Sequence, residues 1–142
     1  MRYRILLDTN VLLAALRSQA GASYQLLTMI GADERLELCL STALLLEYEE
    51  ILARFRADIA LDDAALEATL DYLCAVATKP TIYFRWRPAL CDPDDEFLLD
   101  LAVAARCHFV VTFNTRDLRG AERFGIEIVT PAELLRRLKE KP

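Results

Sequence analysis

What most constrains this chain is the way its first apolar run ends. Ile5-Leu6-Leu7 stops on Asp8-Thr9-Asn10, and Val11-Leu12-Leu13-Ala14-Ala15-Leu16 then opens a second apolar run that reads as a helix. A buried strand that ends on a carboxylate and feeds a helix is how α/β proteins present a reactive group, because ligands bind outside the carboxyl ends of the strands of an open parallel sheet. Asp8 is therefore the anchor. Asp, Thr and Asn are also favoured helix caps, so the tripeptide alone leaves both roles open and other acids must decide.

The rest of the chain repeats the alternation. Leu26, Leu27 and Ile30 recur at helical spacing over 22–30, and Gly31 is placed to end that helix. A strand over Leu36–Leu40 ends at Ser41-Thr42, either of which can cap a helix over about 43–54. In that helix Leu44, Leu45, Tyr48, Ile51 and Leu52 form an apolar stripe, and Glu47 lies beside the stripe rather than opposite it. Asp62-Asp63 starts another helix, with Leu66, Leu70, Leu73 and Ala77 at core spacing. After Lys79-Pro80 comes a short strand, Thr81–Phe84, and then Arg85-Trp86-Arg87-Pro88. That basic and aromatic loop either packs Trp86 down or offers a phosphate and base contact of the kind that single-strand binders use.

Asp92 and Pro93 suit the cap and first position of the next helix, whose apolar face is Phe97, Leu98, Leu101, Ala102 and Ala105. Asp95 leads the same side. His108–Thr112 is a continuous apolar run typical of a central parallel strand, and it ends in Phe113-Asn114-Thr115-Arg116-Asp117. Ile126–Val129 is the last strand, and Thr130-Pro131-Ala132-Glu133 is a capping box for a final helix to about Lys139. Five strands separated by helices, with no hairpin signal, predict a three-layer α/β/α sandwich around a five-stranded parallel sheet.

Length and composition bound the function. At 142 residues, 54% hydrophobic and 27% charged, the chain suits one domain with one substantial core. No apolar run approaches the ~20 residues of a membrane span, which leads us to expect a cytoplasmic protein. The four cysteines are widely spaced with no C-x-x-C pair, and the single histidine, His108, has no nucleophile pattern around it. Chemistry is left to carboxylates. A net charge of −5 argues against holding nucleic acid by a broad basic face, but acids gathered at a metal site are locally reversed in sign by the cation.

Asp8, Glu47, Asp95 and the pair Asn114 and Asp117 all fall at strand ends or helix starts on one side of the expected sheet. Two carboxylates ~6 Å apart at an effective dielectric of ~20 repel by about 3 kcal/mol. A group of them either holds protons or binds a divalent cation. Oxygen-only ligands suit Mg²⁺ or Mn²⁺ better than zinc, and such ions can activate water and neutralise a phosphate. The chemistry points to phosphodiester hydrolysis.

Taken together, Leu7-Asp8-Thr9-Asn10-Val11, Glu47 in a helix after Ser41, Asp92-Pro93-Asp94-Asp95, and Val111-Thr112-Phe113-Asn114-Thr115-Arg116-Asp117 resemble the PIN domain, in particular the VapC-like toxins of toxin–antitoxin pairs. The resemblance extends to Phe124-Gly125-Ile126 and Thr130-Pro131-Ala132-Glu133-Leu134. It implies a Mg²⁺- or Mn²⁺-dependent ribonuclease acting on RNA, inhibited by a cognate antitoxin protein and often a homodimer. It also implies Asp8, Glu47 and Asp95 as the first metal-site acids, Asp117 as the acid after the fourth strand, and Asn10 and Thr112 as polar supports. Many PIN domains carry Asp where this chain has Asn114, which coordinates through its carbonyl without a charge; Asp117 then takes over, or a second metal binds weakly. Arg85 and Arg116 are the candidate RNA contacts.

Two other classes compete with the nuclease. A PIN fold that binds RNA or protein without cutting is favoured by Asn114 and the acidic balance. An aspartyl-phosphate phosphatase or receiver also starts from an Asp at a strand end, but its usual second Asp is Asn10 here and no suitably placed lysine follows the later strands.

Overall fold

Consecutive residues of a strand point to opposite faces of its sheet, and Ile5, Leu6 and Leu7 are all buried, as are Val110 and Val111. Both faces of those strands are therefore covered by helices. The computed structural model describes residues 2–78, 93–115 and 121–140, with side chains from Leu98 onward in the helix that begins at Pro93. The elements are β1 (Tyr3–Leu7), α1 (Thr9–Arg17), α2 (Ala22–Met29), β2 (Leu36–Leu38), α3 (Thr42–Arg54), α4 (Asp63–Val76), α5 (Pro93–Ala104), β3 (Phe109–Val111), β4 (Glu127–Val129) and α6 (Pro131–Glu140). Short 3-10 turns at Arg56–Asp58 and Ala121–Phe124 were not legible as periodic segments.

The sheet is parallel throughout, in the order β2-β1-β3-β4. Ile5 lies opposite Leu38 on one side and Phe109 on the other, and Val111 lies between Leu7 and Val129. Four strands stand among the described residues, against five expected; the expected strand Thr81–Phe84 lies outside them, as do Arg85, Arg116 and Asp117. Thr78 bridges to Cys39 on the side of β2 away from β1, donating to the Leu38 carbonyl at 2.7 Å and accepting from the Leu40 amide at 2.9 Å.

Local sequence explains most of the boundaries. Ser41 Oγ accepts from the Leu44 amide at 3.1 Å and Asp62 Oδ1 from the Ala65 amide at 2.7 Å, so of Ser41 and Thr42 it is Ser41 that caps, and Asp62 caps the helix expected to start there. At α6 the capping box is reciprocal, Glu133 N to Thr130 Oγ1 at 3.2 Å and Thr130 N to Glu133 Oε2 at 3.4 Å. Gly31 follows α2 at φ +86°, and a Cβ there would lie 2.0 Å from the Tyr72 hydroxyl, which donates to the Ile30 carbonyl. A side chain fits neither the backbone nor the space. Past α5 the left-handed position is taken by Arg106 at φ +54°; the Cys107 amide bonds back to Ala102 and that of Arg106 to Val103, the paired bonds that usually select glycine.

The apolar faces hold with one reduction. On α3, Leu44, Tyr48 and Leu52 are buried and Leu45 and Ile51 partly so, whereas on α4 only Leu73 is buried and Leu66 and Leu70 are half-buried. α2 packs on α1 and α6, and α3 packs on α1. Arg35 ties the end of α6 to the start of β2, donating to the Leu138 carbonyl at 2.9 Å and to Asp33 at 2.8 and 3.1 Å. His108 is structural, its Nδ1 accepting from the Arg4 amide and its ring edge-on to Tyr3. Cys39 and Cys107 are buried free thiols. Among the described residues no helix is long and apolar enough to cross a membrane.

Candidate functional site

From β1 the chain crosses to β2 on one side and later returns to β3 on the other, so the strand order reverses between β1 and β3. In an open α/β sheet that reversal opens a crevice at the carboxyl ends of the strands. Asp8 and Thr112 are the residues immediately beyond the two strands that flank it. The Asp8 amide donates to the Val111 carbonyl at 2.9 Å, and the Thr112 amide to that of Val129 at 2.9 Å, so the ladder fixes both backbones.

The side chains then find each other. Thr112 Oγ1, fully buried, donates to Asp8 Oδ2 at 2.7 Å. The same oxygen accepts from the Asn114 amide at 3.0 Å and, at the long distance of 3.5 Å, from Asn10 Nδ2. Asn10 Oδ1 in turn takes the Phe113 amide at 3.5 Å. The other Asp8 oxygen, Oδ1, accepts from the Thr9 amide at 2.7 Å. One oxygen thus caps α1, the structural role the sequence allowed, and the other is oriented by a hydroxyl from across the crevice. Among the described residues Asp8 has no ion-pair partner.

α3 supplies the second wall. Tyr48 is buried in its apolar stripe, and its hydroxyl donates to the Leu7 carbonyl at 2.6 Å, one residue before Asp8. Burial, and then the negative charges of Asp8 and Glu47, push the Tyr48 phenol far above its usual range. Both carboxylates are therefore felt by one hydroxyl. The sequence placed Tyr48 in the core but gave its hydroxyl no task; the signal was there, since a tyrosine in an otherwise apolar stripe needs a partner for its O–H.

The remaining candidates divide. Glu47 is half-buried, Asn114 is exposed with its backbone tied to Thr112, and Asp95 stands in the first turn of α5, where only its backbone is described. Asp117, Arg116 and Arg85 lie outside the described residues. Among the described residues no three His, Cys, Asp or Glu side chains gather closely enough to hold a metal ion. The donors that the crevice does offer are carboxylate, hydroxyl and amide oxygens, which match a hard cation such as Mg²⁺ or Mn²⁺.

Residues 4–116 match the profile of the PIN domain family, a span that begins in β1 and closes two residues beyond Asn114. No curated protein sequence matches the chain at a significant level. Among solved structures it is similar in fold to a chain of VapBC2 from Rickettsia felis, crystallised bound to a DNA fragment from their promoter. That similarity has a TM-score of 0.56 and 15% sequence identity, and covers 88% of this chain and 98% of that one.

Proposed function

Because the chain belongs to the PIN domain family, we propose that it is a Mg²⁺- or Mn²⁺-dependent endoribonuclease, acting in the cytoplasm as the toxin of a toxin–antitoxin pair. The observation that carries the reading is Asp8 at the strand-order reversal, held among the described residues by neutral donors, with Thr112 Oγ1 at 2.7 Å. Asp8, Asp95, Asp117 and the Asn114 carbonyl would hold the cation, with Glu47 either sharing it or orienting the attacking water. When bound, such an ion lowers the pKa of a water and offsets the charge of a phosphate.

The chain's own residues do the rest. Thr112 fixes the rotamer of Asp8, and a carboxylate so restrained loses little freedom when it takes up a ligand. Asn10 braces the turn that carries Phe113 and Asn114. Arg85 and Arg116 are the proposed phosphate contacts. A small antitoxin is the proposed partner, supported by the fold shared with a VapBC2 chain.

The test is cleavage of a structured RNA in Mn²⁺ by the wild type and by Asp8→Asn. Loss of cleavage in a variant that still folds is expected. Equal activity in both, or none in either despite bound metal, overturns the nuclease. A second reading, an RNA- or protein-binding module of weak activity, is favoured by the neutral Asn114. Under it the wild type retains RNA uncut, and Asn114→Asp gains cleavage.

A further inference from the structure

We propose that Phe113 is a stacking platform for a base of single-stranded RNA lying across the Asp8 crevice, an inference that rests on the RNA-directed reading of that site. Among the described residues two exposed large apolar side chains adjoin candidate residues, Leu46 beside Glu47 and Phe113 beside Thr112, and of these two only Phe113 offers an aromatic face. Its side chain is 49% exposed, directly after a threonine that is fully buried. Single exposed hydrophobic residues are ordinary on protein surfaces. This one differs in how it is held.

Three successive amides root the ring. That of Thr112 is bonded to the Val129 carbonyl, that of Phe113 to Asn10 Oδ1, and that of Asn114 to Thr112 Oγ1. Because Thr112 Oγ1 also bonds Asp8, the base of the Phe113 side chain and the carboxylate are parts of one hydrogen-bonded turn. The backbone that carries the exposed ring is tied at three successive amides. Charge supplies the second argument. A chain of net charge −5 gains little from a general basic field, so uncharged contacts carry more of the affinity, and base–aromatic stacking is both strong and tolerant of sequence.

The probe is a fluorescein-labelled single-stranded RNA of about twelve nucleotides and mixed sequence, long enough for one binding groove. Its affinity is read by anisotropy with the full chain in an Asp8→Asn background, where it is not cut, and its cleavage is read with Asp8 intact. Phe113→Ala should weaken binding about tenfold, Phe113→Trp should restore it, and Phe113→Leu should not. The slope of affinity against salt should stay unchanged, since no phosphate contact is removed. Replacing the stacked nucleotide by an abasic one should weaken binding to wild-type Phe113 and leave Phe113→Ala indifferent. Phe113→Ala binding as tightly as the parent, or Leu rescuing as well as Trp, overturns the platform while leaving the nuclease intact. Binding that depends on Phe113 without any cleavage overturns the nuclease and leaves the platform. A chain with Phe113 that does not bind the probe overturns the platform.

Discussion

Two groups of acids in this molecule are held in different ways. Beside β2, Asp33 and Glu37 each have a cation: Asp33 is bonded by Arg35, and Glu37 by Arg4 at 3.0 Å with Arg2 at 4.0 Å and the Thr78 hydroxyl at 2.9 Å. At the carboxyl ends of β1 and β3, Asp8 has an amide and two hydroxyls, those of Thr112 and Thr9, and no cation among the described residues. Hydrogen bonds from neutral donors orient a carboxylate without cancelling its charge, whereas an arginine does both. The first kind of acid is structural. The second is the one that the proposed function assigns to a cation, because no neighbouring cation among the described residues competes for it.

The largest effect follows from that contrast. Asp8→Asn should reduce Mn²⁺-dependent RNA cleavage by two or more orders of magnitude, with a smaller effect on melting temperature, because asparagine keeps one oxygen to cap α1 while its amide nitrogen then faces the Thr112 hydroxyl, which loses its acceptor. Asp33→Asn should leave cleavage alone and lower stability. Measured together by gel assay and thermal melt, the two variants should move opposite readouts. If both moved the same one, the division into structural and site acids would fail.

Next in size is the hydroxyl that orients Asp8. Thr112→Val keeps shape and removes the bond, and loss of such an outer partner typically lowers metal affinity or activity ~10–100-fold. The Asn114 amide also loses its acceptor, so stability should fall by about 1–3 kcal/mol. Thr112→Ser should recover the activity first. An active Thr112→Val with unchanged metal affinity would mean that Asp8 is held in place by its cap alone.

How much of this was legible depends on whether the signal was local. The run Ile5–Leu7 stopping at Asp8, the Ser41 and Asp62 caps, and the Thr130/Glu133 box are each written within a few residues, and each stands as read. The Asp8–Thr112 bond joins residues 104 apart, and it exists because Leu7 pairs with Val111 in the sheet. Nothing local states that register; only the resemblance to a family placed Thr112 as a support. Arg106 was hidden for a different reason. Paired backbone bonds after α5 impose a left-handed residue whatever its identity, so the usual glycine signal was missing. On α4 the spacing was right but the neighbours were not, since Leu66 and Leu70 recur helically and remain half-buried.

Tyr48 stands between the two settings, buried like the core and bonded to the site's backbone. Tyr48→Phe should lower stability by about 1–3 kcal/mol, because the Leu7 carbonyl is left without its donor. The phenol is held protonated in the folded chain, its pKa raised by burial first and by Asp8 and Glu47 after. Its stabilisation is therefore complete below the ordinary tyrosine value of about 10 and is lost as pH rises above it, when the unfolded chain ionises and the folded one does not. Melts of the two proteins should converge on the alkaline side. A gap that stayed constant up to about pH 11 would show that the folded chain does not hold the phenol protonated beyond its ordinary value.

The smallest effect lies at the acid end and belongs to β2. The Arg35 side chain first, and then its amide, hold the Asp33 carboxyl below the usual carboxylate range. The Thr78 hydroxyl first, and then Arg4, do the same for Glu37. A lowered folded value means that the stabilisation is present above the ordinary carboxylate value of about 4 and is lost as pH falls through the folded value. Both pairs are solvent-accessible, so the amounts are small. Wild type should melt slightly above Asp33→Asn near neutral pH, and the gap should close on acidification as Asp33 takes up a proton. A gap that persisted in strong acid would show that the stabilisation does not come from the ionised Asp33 carboxyl beside Arg35.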